Sequence, residues 1–181
     1  MVDNAARVNR VVENILQLSR RGAAQCMTLE LGEWLAAFLD GFCQTRNLEQ
    51  SPFDYRRPAL PVRIVADAGQ LQQILENLCD NALKYGHPEH GKIDIRVICR
   101  PKDMKPCIEV EDHGPGIAPQ LAEQIFEPFY TSSPTGTGLG LYISRELAEL
   151  NQARLSYEPS PAGGGFFRLC LCDAEMAAVA W

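Results

Sequence analysis

The chain has 181 residues, of which 46% are hydrophobic and 22% are charged, proportions that are typical of a globular protein with a packed core. This length suits one compact domain with a small appendage. The formal net charge of −6 argues against nucleic acid as an obligatory partner, because phosphate contacts need clustered Lys and Arg side chains. No apolar run reaches the roughly 18–20 residues of a membrane span, and we expect no secretory signal within these residues.

The seven cysteines include no C-x-x-C pair, and their number is odd. Cys170 and Cys172 alternate within an apolar run, which predicts that both lie on one face of a strand. We therefore expect reduced thiols that pack as small hydrophobic side chains in the cytoplasm, and no zinc site.

The first part of the chain predicts one helix followed by short elements. Residues 2–21 carry an apolar stripe at helical spacing, and we expect this helix to pair with its own copy or to belong to a larger element. Gly22 would end it. The elements that follow are predicted as a strand at 27–31, a helix at 32–47 and two short strands at 53–56 and 62–66.

The segment 67–85 predicts an amphipathic helix that carries an additional polar stripe. Asp67 followed by Gln70 resembles a capping box. At about 100° per residue, Asn77 and Asn81 lie one turn apart, so their side chains meet. Taken alone, such a pair is explained most simply by hydrogen bonds to a neighbouring loop. The apolar arc comprises Leu71, Ile74, Leu75, Leu78 and Ala82, and the polar stripe comprises Gln70, Asn77, Asn81 and Lys84.

The second half of the chain predicts paired strands and one more long helix. Because the helices form a block and the strands largely pair as hairpins, we predict an α+β fold. It would be a two-layer α/β sandwich whose mixed, mostly antiparallel sheet is covered on one face by three helices, with an additional N-terminal helix. In chain order the predicted elements are a hairpin of strands at 92–100 and 107–111, one or two helical turns at 119–125, a loop at 126–137, a helix at 138–150, and strands at 153–158 and 166–172 joined by Gly163, Gly164 and Gly165.

Two glycine-containing stretches follow the polar helix. Asp112 ends a predicted strand and precedes Gly114 and Gly116. A carboxylate at this place could accept a hydrogen bond from an adenine amino group, and the glycines permit close approach of the backbone, although a simple Asp-Gly turn gives the same pattern. The second stretch, TGTGLGL at 135–141, opens a helix whose N-terminus favours an anion such as a triphosphate. It is neither a Walker A loop nor the dinucleotide fingerprint.

The polar stripe offers suitable groups for a metal-bound phosphate. Magnesium needs only one or two protein oxygens besides water and phosphate, and an asparagine oxygen can be one of them. Lys84 on the same stripe can neutralise a phosphate as a point charge.

The order of these motifs resembles the nucleotide-binding catalytic domain of sensor histidine kinases, which has the Bergerat fold of the ATPase family shared with type II topoisomerases and Hsp-ninety chaperones. The matching stretches are ILENLCDNALKYG (the N box), EDHGPGIAP (the first glycine box), IFEPFY (the F box) and GTGLGLYISREL (the second glycine box). They span 67–147, and flanking strands extend the resemblance over 27–172. The short loop between the last two boxes is similar to that of nitrogen-regulation-type kinases, and 141–155 is similar to pilus-regulating sensor kinases.

The resemblance implies a site for ATP and Mg²⁺. Asn81 would ligate the metal, and Asn77 and Lys84 would contact the phosphates, so that these three residues form the catalytic set. Tyr85 would stack on adenine, and Asp112 would bind its amino group. The other implied contacts are Gly114, Gly116 and Ile117 around the base, and Gly136, Thr137, Gly138, Leu139 and Gly140 beside the phosphates and at the hinge of a lid over 127–137.

Two departures from the family pattern bear on the chemistry. ATP-hydrolysing relatives carry a Glu four residues before the metal-binding Asn, where this chain has Asn77, which cannot act as a base; the adjacent Glu76 points about 100° away. This difference favours phosphoryl transfer to a protein over hydrolysis. The lid also lacks the Lys with which many relatives reach the γ-phosphate, so transfer would depend on Lys84 or on a group supplied from elsewhere. Phe126 and Phe129 would anchor the lid.

The phosphoacceptor of such kinases is a His followed by Glu or Asp, and no histidine of this chain has that neighbour. We expect loop positions for these histidines and an acceptor on a dimerisation hairpin that this chain lacks. Residues 1–22 resemble the end of the second helix of that hairpin, 23–173 would form the ATP-binding domain, and 174–181 would be a tail. The three histidines are His87, His90 and His113.

The resemblance implies the catalytic domain of a bacterial two-component kinase, which passes the γ-phosphoryl group of ATP to a His for relay to an Asp of a response regulator. Its partners would be its own hairpin, a second copy in the full-length homodimer, and a transcriptional activator of the nitrogen-regulation type, with no nucleic acid. The domain would lie in the cytoplasm beneath an inner-membrane sensor. The alternatives are a serine kinase of the anti-sigma-factor type, which the hairpin-like first helix disfavours, and a nucleotide-gated binding module, which the intact motifs disfavour.

Overall fold

The computed structural model describes residues 24–87, 89, 91–99, 105–133, 136–160 and 163–173. The helix predicted at 2–21 and the tail at 174–181 lie outside these residues, as does His90. Among the described residues, no helix combines the length and the apolar character that a membrane crossing requires. In chain order the elements are β1 (Met27–Glu30), α1 (Leu31–Thr45), β2 (Phe53–Tyr55), β3 (Arg63–Ala66), α2 (Ala68–Tyr85), β4 (Ile93–Cys99), β5 (Pro106–Glu111), 3₁₀ turns at Pro119–Leu121 and Gln124–Phe126, α3 (Gly140–Leu150), β6 (Arg154–Pro159) and β7 (Gly165–Cys170).

Five strands form the main sheet in the order β2-β4-β5-β7-β6. Strand β2 runs parallel to β4, and the other neighbours pair antiparallel, so the predicted mixed and mostly antiparallel sheet is confirmed. Strands β1 and β3 form a separate antiparallel pair. The chain after β7 extends this second pair, since the amide of Val65 donates to the carbonyl of Cys172 at 3.1 Å.

One hydrophobic core lies between the three helices and one face of the main sheet. Alternate strand residues point into it, as a half-buried sheet requires; Ile93 and Ile95 of β4 are examples. The apolar arc predicted for α2 is confirmed, because each of its members is at most 3% exposed. The buried apolar residues of the helices are Leu31, Leu35, Leu39 and Phe42 in α1, Leu71, Ile74, Leu75, Leu78, Cys79 and Ala82 in α2, and Ile143, Leu147 and Ala148 in α3.

Most predicted ends are within one residue of the observed ones, but three elements have an end that differs by two residues. Helix α1 ends at Thr45 and not at 47. Helix α3 begins at Gly140 and not at 138, because Gly138 has φ +69°, which lies outside the helical region. Strand β7 ends at Cys170 and not at 172, because the following residues pair with β3 through a bridge between Ile64 and Asp173.

The prediction that all cysteines are reduced is wrong for one pair. Cys107 of β5 and Cys170 of β7 lie opposite each other in the antiparallel register and are joined by a disulfide. The sequence does not reveal the register of two strands whose cysteines are 63 residues apart. Cys79 packs as expected for a small hydrophobic residue: it is 1% exposed, and burial raises the pKa of its thiol. The other described thiols are Cys26, Cys43, Cys99 and Cys172.

Candidate nucleotide-binding site

Helix α2 is the element around which the predicted site residues gather. Asp67 precedes its first turn, and the carboxylate Oδ1 accepts the N–H groups of Gly69 at 3.0 Å and Gln70 at 3.1 Å. The predicted N-cap is confirmed, and it satisfies two of the N–H groups that a helix start leaves without partners. The helix then continues over 18 residues and ends where Gly86 adopts an extended conformation.

Asn77 joins the middle of α2 to the first turn of α3. Its Nδ2 donates to the carbonyl of Gly140 at 3.3 Å and to the hydroxyl of Ser144 at 3.1 Å. A Cβ on Gly140 would lie 3.4 Å from Oδ1 of Asn77, so the second glycine box rests directly against this carboxamide. The first asparagine of the N box therefore bonds α3 here, and its predicted contact with phosphates stays a prediction.

Asn81 lies one turn further along α2 and is partly buried. Within the described part of the chain, its carboxamide has no hydrogen-bond partner, in contrast to Asn77. Lys84 is exposed, and its Nζ lies 5.1 Å from the ring centroid of Tyr85, which is 38% exposed. An amide oxygen without a partner and an exposed ammonium group suit a hydrated metal ion and a phosphate, respectively.

Asp112 follows β5 and is 6% exposed. Its Oδ1 accepts the N–H groups of Gly114 at 2.9 Å and Gly165 at 3.0 Å, and its own amide donates to the carbonyl of Gly165 at 2.9 Å. Two backbone donors therefore hold one carboxylate oxygen in place. The second oxygen, Oδ2, is left to accept a hydrogen bond from a ligand.

The first glycine box lies directly on the end of α2. A Cβ on Gly114 would overlap the carbonyl oxygen of Tyr85, so no other residue fits there. A Cβ on Gly86 would lie 3.4 Å from the Cβ of Asp112 and 2.5 Å from the carbonyl oxygen of Ala82. The last turn of the N box and the start of the first glycine box are thus in contact.

The turn between β6 and β7 packs against the first glycine box, a contact that was not predicted from the sequence. Gly116 has φ +68°, and a Cβ there would lie 2.7 Å from the carbonyl oxygen of Gly164. Gly164 has φ +94°, and a Cβ on it would overlap the carbonyl oxygen of Asp112. The signal was the run of three consecutive glycines, which is more than an ordinary hairpin turn needs.

The second glycine box approaches the backbone of the F box. Gly138 has φ +69°, and a Cβ there would overlap the backbone of Phe129. The amide of Phe129 donates to the carbonyl of Gly138 at 2.9 Å, which closes the lid segment at its base. Leu139 is 2% exposed, and its side chain caps no N–H group of α3. The first turn of α3 can therefore offer N–H groups to an anion.

The remaining predicted lid contacts lie at the end of the loop. The amide of Gly136 donates to the carbonyl of Ser133 at 3.1 Å, and a Cβ on Gly136 would lie 2.5 Å from Oγ1 of Thr131. Oγ1 of Thr137 accepts the amide of Leu139 at 3.4 Å. Residues 134 and 135 lie outside the described residues.

The two phenylalanines of the F box have different environments. Phe126 is 4% exposed, and its ring centroid lies 6.5 Å from that of Phe167 in the core, as expected for a lid anchor. Phe129 is 67% exposed and has φ +67°. The prediction that its side chain anchors the lid is therefore wrong, because its backbone, through Gly138, makes the connection instead.

Asn151 joins the far ends of α2 and α3 and was also missed. It is 4% exposed, and its Oδ1 accepts the amide of Asp67 at 2.7 Å. Its Nδ2 donates to Oε1 of Gln70 and to the carbonyl of Leu147, each at 2.8 Å. In a full capping box, the Gln70 side chain would bond the backbone N–H of Asp67 at the start of its own helix. Here it bonds Asn151 instead.

A row of charged residues lies on the outer face of the sheet behind Asp112. Glu111 accepts from Arg96 at 2.7 Å and from the hydroxyl of Ser160. Arg96 also lies 3.6 Å from Asp94, whose carboxylate lies 3.3 Å from Nε2 of His113. The imidazole of the histidine beside Asp112 is therefore directed toward β4.

The edge of α2 that carries Glu76 does not face the second glycine box. Oε1 of Glu76 accepts from Nε2 of Gln72 at 2.9 Å, and Asp80, one turn further, pairs with Arg46 at 2.7 Å. This edge lies against the end of α1. Glu76 therefore points away from the Asn77 contacts, in agreement with the helical geometry.

The sequence and the fold of this chain were each compared with those of known proteins, and both comparisons lead to the same family. Residues 66–175 match the family model described as histidine kinase-, DNA gyrase B-, and HSP90-like ATPase. The chain is 41% identical over 169 residues to the sensor protein kinase PilS of Pseudomonas aeruginosa, covering 92% of this chain and 32% of that protein. It is 35% identical over 171 residues to the sensory histidine kinase/phosphatase NtrB of Vibrio alginolyticus, covering 89% and 48%.

A solved structure of the catalytic domain of the histidine kinase ThkA, in a nucleotide-free form, is 26% identical with a TM-score of 0.64, covering 82% of this chain and 97% of that one. The chain spans about a third of the length of PilS and about half that of NtrB. Because the family match covers more than half of the residues and the fold agrees with that of a solved kinase domain, this chain belongs to the histidine kinase-, DNA gyrase B- and HSP90-like family of ATP-binding domains.

Proposed function

We propose that this chain is the catalytic domain of a sensor histidine kinase of the nitrogen-regulation and PilS-like branch. It would transfer the γ-phosphoryl group of Mg-ATP to a histidine on a separate dimerisation hairpin. One observation carries the proposal: α2 bonds the second glycine box through Asn77 and contacts the first glycine box through Tyr85 and Gly86. These contacts support the proposal that the groups expected to bind metal, base and phosphates border one space.

The side chains in this space suit the proposed ligand. The partner-free carboxamide of Asn81 would hold Mg²⁺, which when bound would neutralise charge on the phosphates. Oδ2 of Asp112 would accept the adenine amino group, since Oδ1 already has two backbone donors. Lys84 and the first turn of α3 would contact the phosphates.

The surroundings of Asn77 favour transfer over hydrolysis. Hydrolysis needs a general base beside the attacking water. The carboxamide of Asn77 is bonded to Gly140 and Ser144 and cannot accept a proton at neutral pH. Glu76 is bonded to Gln72 on another edge of the helix. A protein acceptor brings its own nucleophile and does not need this base.

The acceptor would come from outside this chain. Nε2 of His113 lies 3.3 Å from Asp94 of β4, and Nδ1 of His87 lies 3.4 Å from Glu89, so each of these two histidines has a carboxylate neighbour. Neither is followed by Glu or Asp. In this proposal 23–173 is the ATP-binding domain, 1–22 ends the hairpin and 174–181 is a tail. Relay to a response regulator of the nitrogen-regulation type, homodimerisation and attachment to an inner-membrane sensor belong to the same proposal.

Calorimetric titration with Mg-ADP tests the binding step. We expect the unmodified protein to bind and Asn81→Ala to lose the dependence of affinity on Mg²⁺. The matched control is Gln72→Ala, an exposed amide on another edge of the same helix, which should bind normally. If the unmodified protein gives no binding signal, or if Asn81→Ala keeps its magnesium dependence, the assignment fails.

Incubation with a separately produced histidine-bearing hairpin and radiolabelled ATP tests the transfer step. Acid-labile phosphate on the hairpin is the expected result. Acid-stable phosphate on a serine would instead support a serine kinase of the anti-sigma-factor type. Binding of nucleotide without transfer to any acceptor would support a nucleotide-gated binding module.

A further inference from the structure

A tyrosine outside the four motifs contacts the first glycine box. Tyr157 lies on β6 and is 8% exposed. Its hydroxyl accepts the amide N–H of Ile117 at 2.7 Å and donates to the carbonyl of Ile117 at 3.4 Å. One side chain thus bonds both backbone polar groups of the residue that follows Gly116.

Besides this hydroxyl, the segment is supported by the contact of Gly116 with Gly164 and by packing of the Ile117 side chain on the core, but by no backbone ladder. Among the described residues, no backbone hydrogen bond starts or ends between Pro115 and Ile117. Gly116 is in the left-handed region, so its neighbours are not fixed by a regular element. Asp112 ties the start of this loop to Gly165, and the hydroxyl of Tyr157 ties its end to β6.

The position of the hydroxyl is fixed by packing of the ring. The Tyr157 ring centroid lies 5.2 Å from that of Phe167, whose own centroid lies 6.5 Å from that of Phe126, both in edge-on contacts. Burial raises the pKa of Tyr157, so its hydroxyl stays protonated at neutral pH and can both donate and accept. Packing of the ring in the core therefore holds a neutral hydroxyl beside the backbone of Ile117.

We propose that Tyr157 is a positioning residue for the base side of the nucleotide site. It holds Ile117, and through it the loop after Asp112, in a fixed position beside the carboxylate that is expected to bind the base. This inference rests on the proposed nucleotide function. Because the hydroxyl bonds only backbone groups, it acts through Ile117 and does not itself touch the ligand.

The test compares Tyr157→Phe with a matched control, Tyr55→Phe. Both variants keep the ring and remove one partly buried hydroxyl; that of Tyr55 donates to the carbonyl of Gly32 at 3.1 Å. Tyr55 lies on β2, at the opposite edge of the sheet from β6. The control therefore removes the same chemical group, here a hydroxyl that bonds the first turn of α1 and not a glycine box.

The affinities of each protein for Mg-ADP and Mg-GDP are measured by competition against a fluorescent ATP analogue. Loss of the hydroxyl should weaken Mg-ADP binding by about two- to tenfold, the effect of one or two neutral hydrogen bonds. Mg-GDP, which shares the phosphates but not the adenine contact, should bind as before. Tyr157→Phe should thus lose preference for adenine, and Tyr55→Phe should keep it.

The outcomes separate this inference from the function on which it rests. If the unmodified protein binds no nucleotide, the proposed function fails. If it binds Mg-ADP and Tyr157→Phe has the same affinity and the same base preference, the positioning role is refuted. An equal loss for both nucleotides would also refute it, since a general loss of structure acts on both.

Amide hydrogen exchange in the unmodified protein provides a test that needs no variant. The N–H of Ile117 should exchange more slowly than that of its neighbour Ala118, because the hydroxyl of Tyr157 protects it. Equal and fast exchange at both positions would overturn the proposal even if Tyr157→Phe failed to fold.

Discussion

Replacement of Asn151 by alanine should separate α2 from α3 at the end remote from the glycine boxes. The change removes three hydrogen bonds: from the amide of Asp67, to the side chain of Gln70 and to the carbonyl of Leu147. Each is worth about 1 kcal/mol, and the site is only 4% exposed, so water cannot easily replace them. The free energy of unfolding should fall by about 3 kcal/mol, which corresponds to roughly 6–12 °C in melting temperature.

Urea denaturation followed by circular dichroism measures this loss, with Gln44→Ala as the control. Gln44 is an exposed amide on α1, and its removal should change the free energy of unfolding by less than about 0.5 kcal/mol. Asn151→Asp should also lower the free energy of unfolding, because a carboxylate still accepts from the amide of Asp67 but cannot donate to Gln70 or to the carbonyl of Leu147. A loss below about 1 kcal/mol for Asn151→Ala would refute the view that this side chain clamps the helices.

Three further results are expected. Gly138→Ala and Gly163→Ala both place alanine at positive φ, but only at Gly138 would the Cβ meet backbone atoms. In urea denaturation, the free energy of unfolding should fall by about 1 kcal/mol for Gly163→Ala and by at least about 2 kcal/mol for Gly138→Ala, and equal losses would contradict the crowding at Gly138. Cys107→Ser removes the disulfide between two cysteines that are 63 residues apart and should lower the free energy of unfolding by up to about 4 kcal/mol. If reductant leaves the denaturation midpoint of the unmodified protein unchanged, the disulfide makes no such contribution. Burial raises the pKa of Glu30, but hydrogen bonds from the amides of residues 33, 62 and 32 together lower it by more than burial raises it. The net shift of this pKa is therefore downward. Its stabilising effect is therefore present above the unfolded pKa of about 4.5 and is lost as the pH falls through the folded pKa, and the stability difference between the unmodified protein and Glu30→Gln should shrink in acid; a pH-independent difference would refute this.

Elements specified by neighbouring residues could be predicted from the sequence. Helix α2 begins and ends within one residue of the prediction, because Asp67 caps it locally and its apolar spacing is regular. The β4–β5 hairpin was likewise predicted, since alternation and a short connection determine it. The motif order was enough to indicate the family, because each box is continuous in sequence.

Contacts between distant segments could not be predicted in this way. The parallel pairing of β2 with β4 and the register that brings Cys107 opposite Cys170 depend on the whole sheet. The bonds from Asn151 to Asp67 and from Tyr157 to Ile117 span 84 and 40 residues, and an isolated Asn or Tyr gives no local signal of such a partner. Exposure of Phe129 was missed because an aromatic residue in an apolar motif is usually buried.

The double attachment between α2 and α3 bears on how this domain could be recombined with its relatives. Asn77 and Asn151 each reach across to the other helix, so a chimera that imported α3 alone would leave unmatched carboxamides at both ends. The two helices would have to be exchanged together, as a single cassette. Among the described residues, the segment between Phe126 and Gly138 bonds neither of these asparagines, so it could be exchanged separately from the two helices.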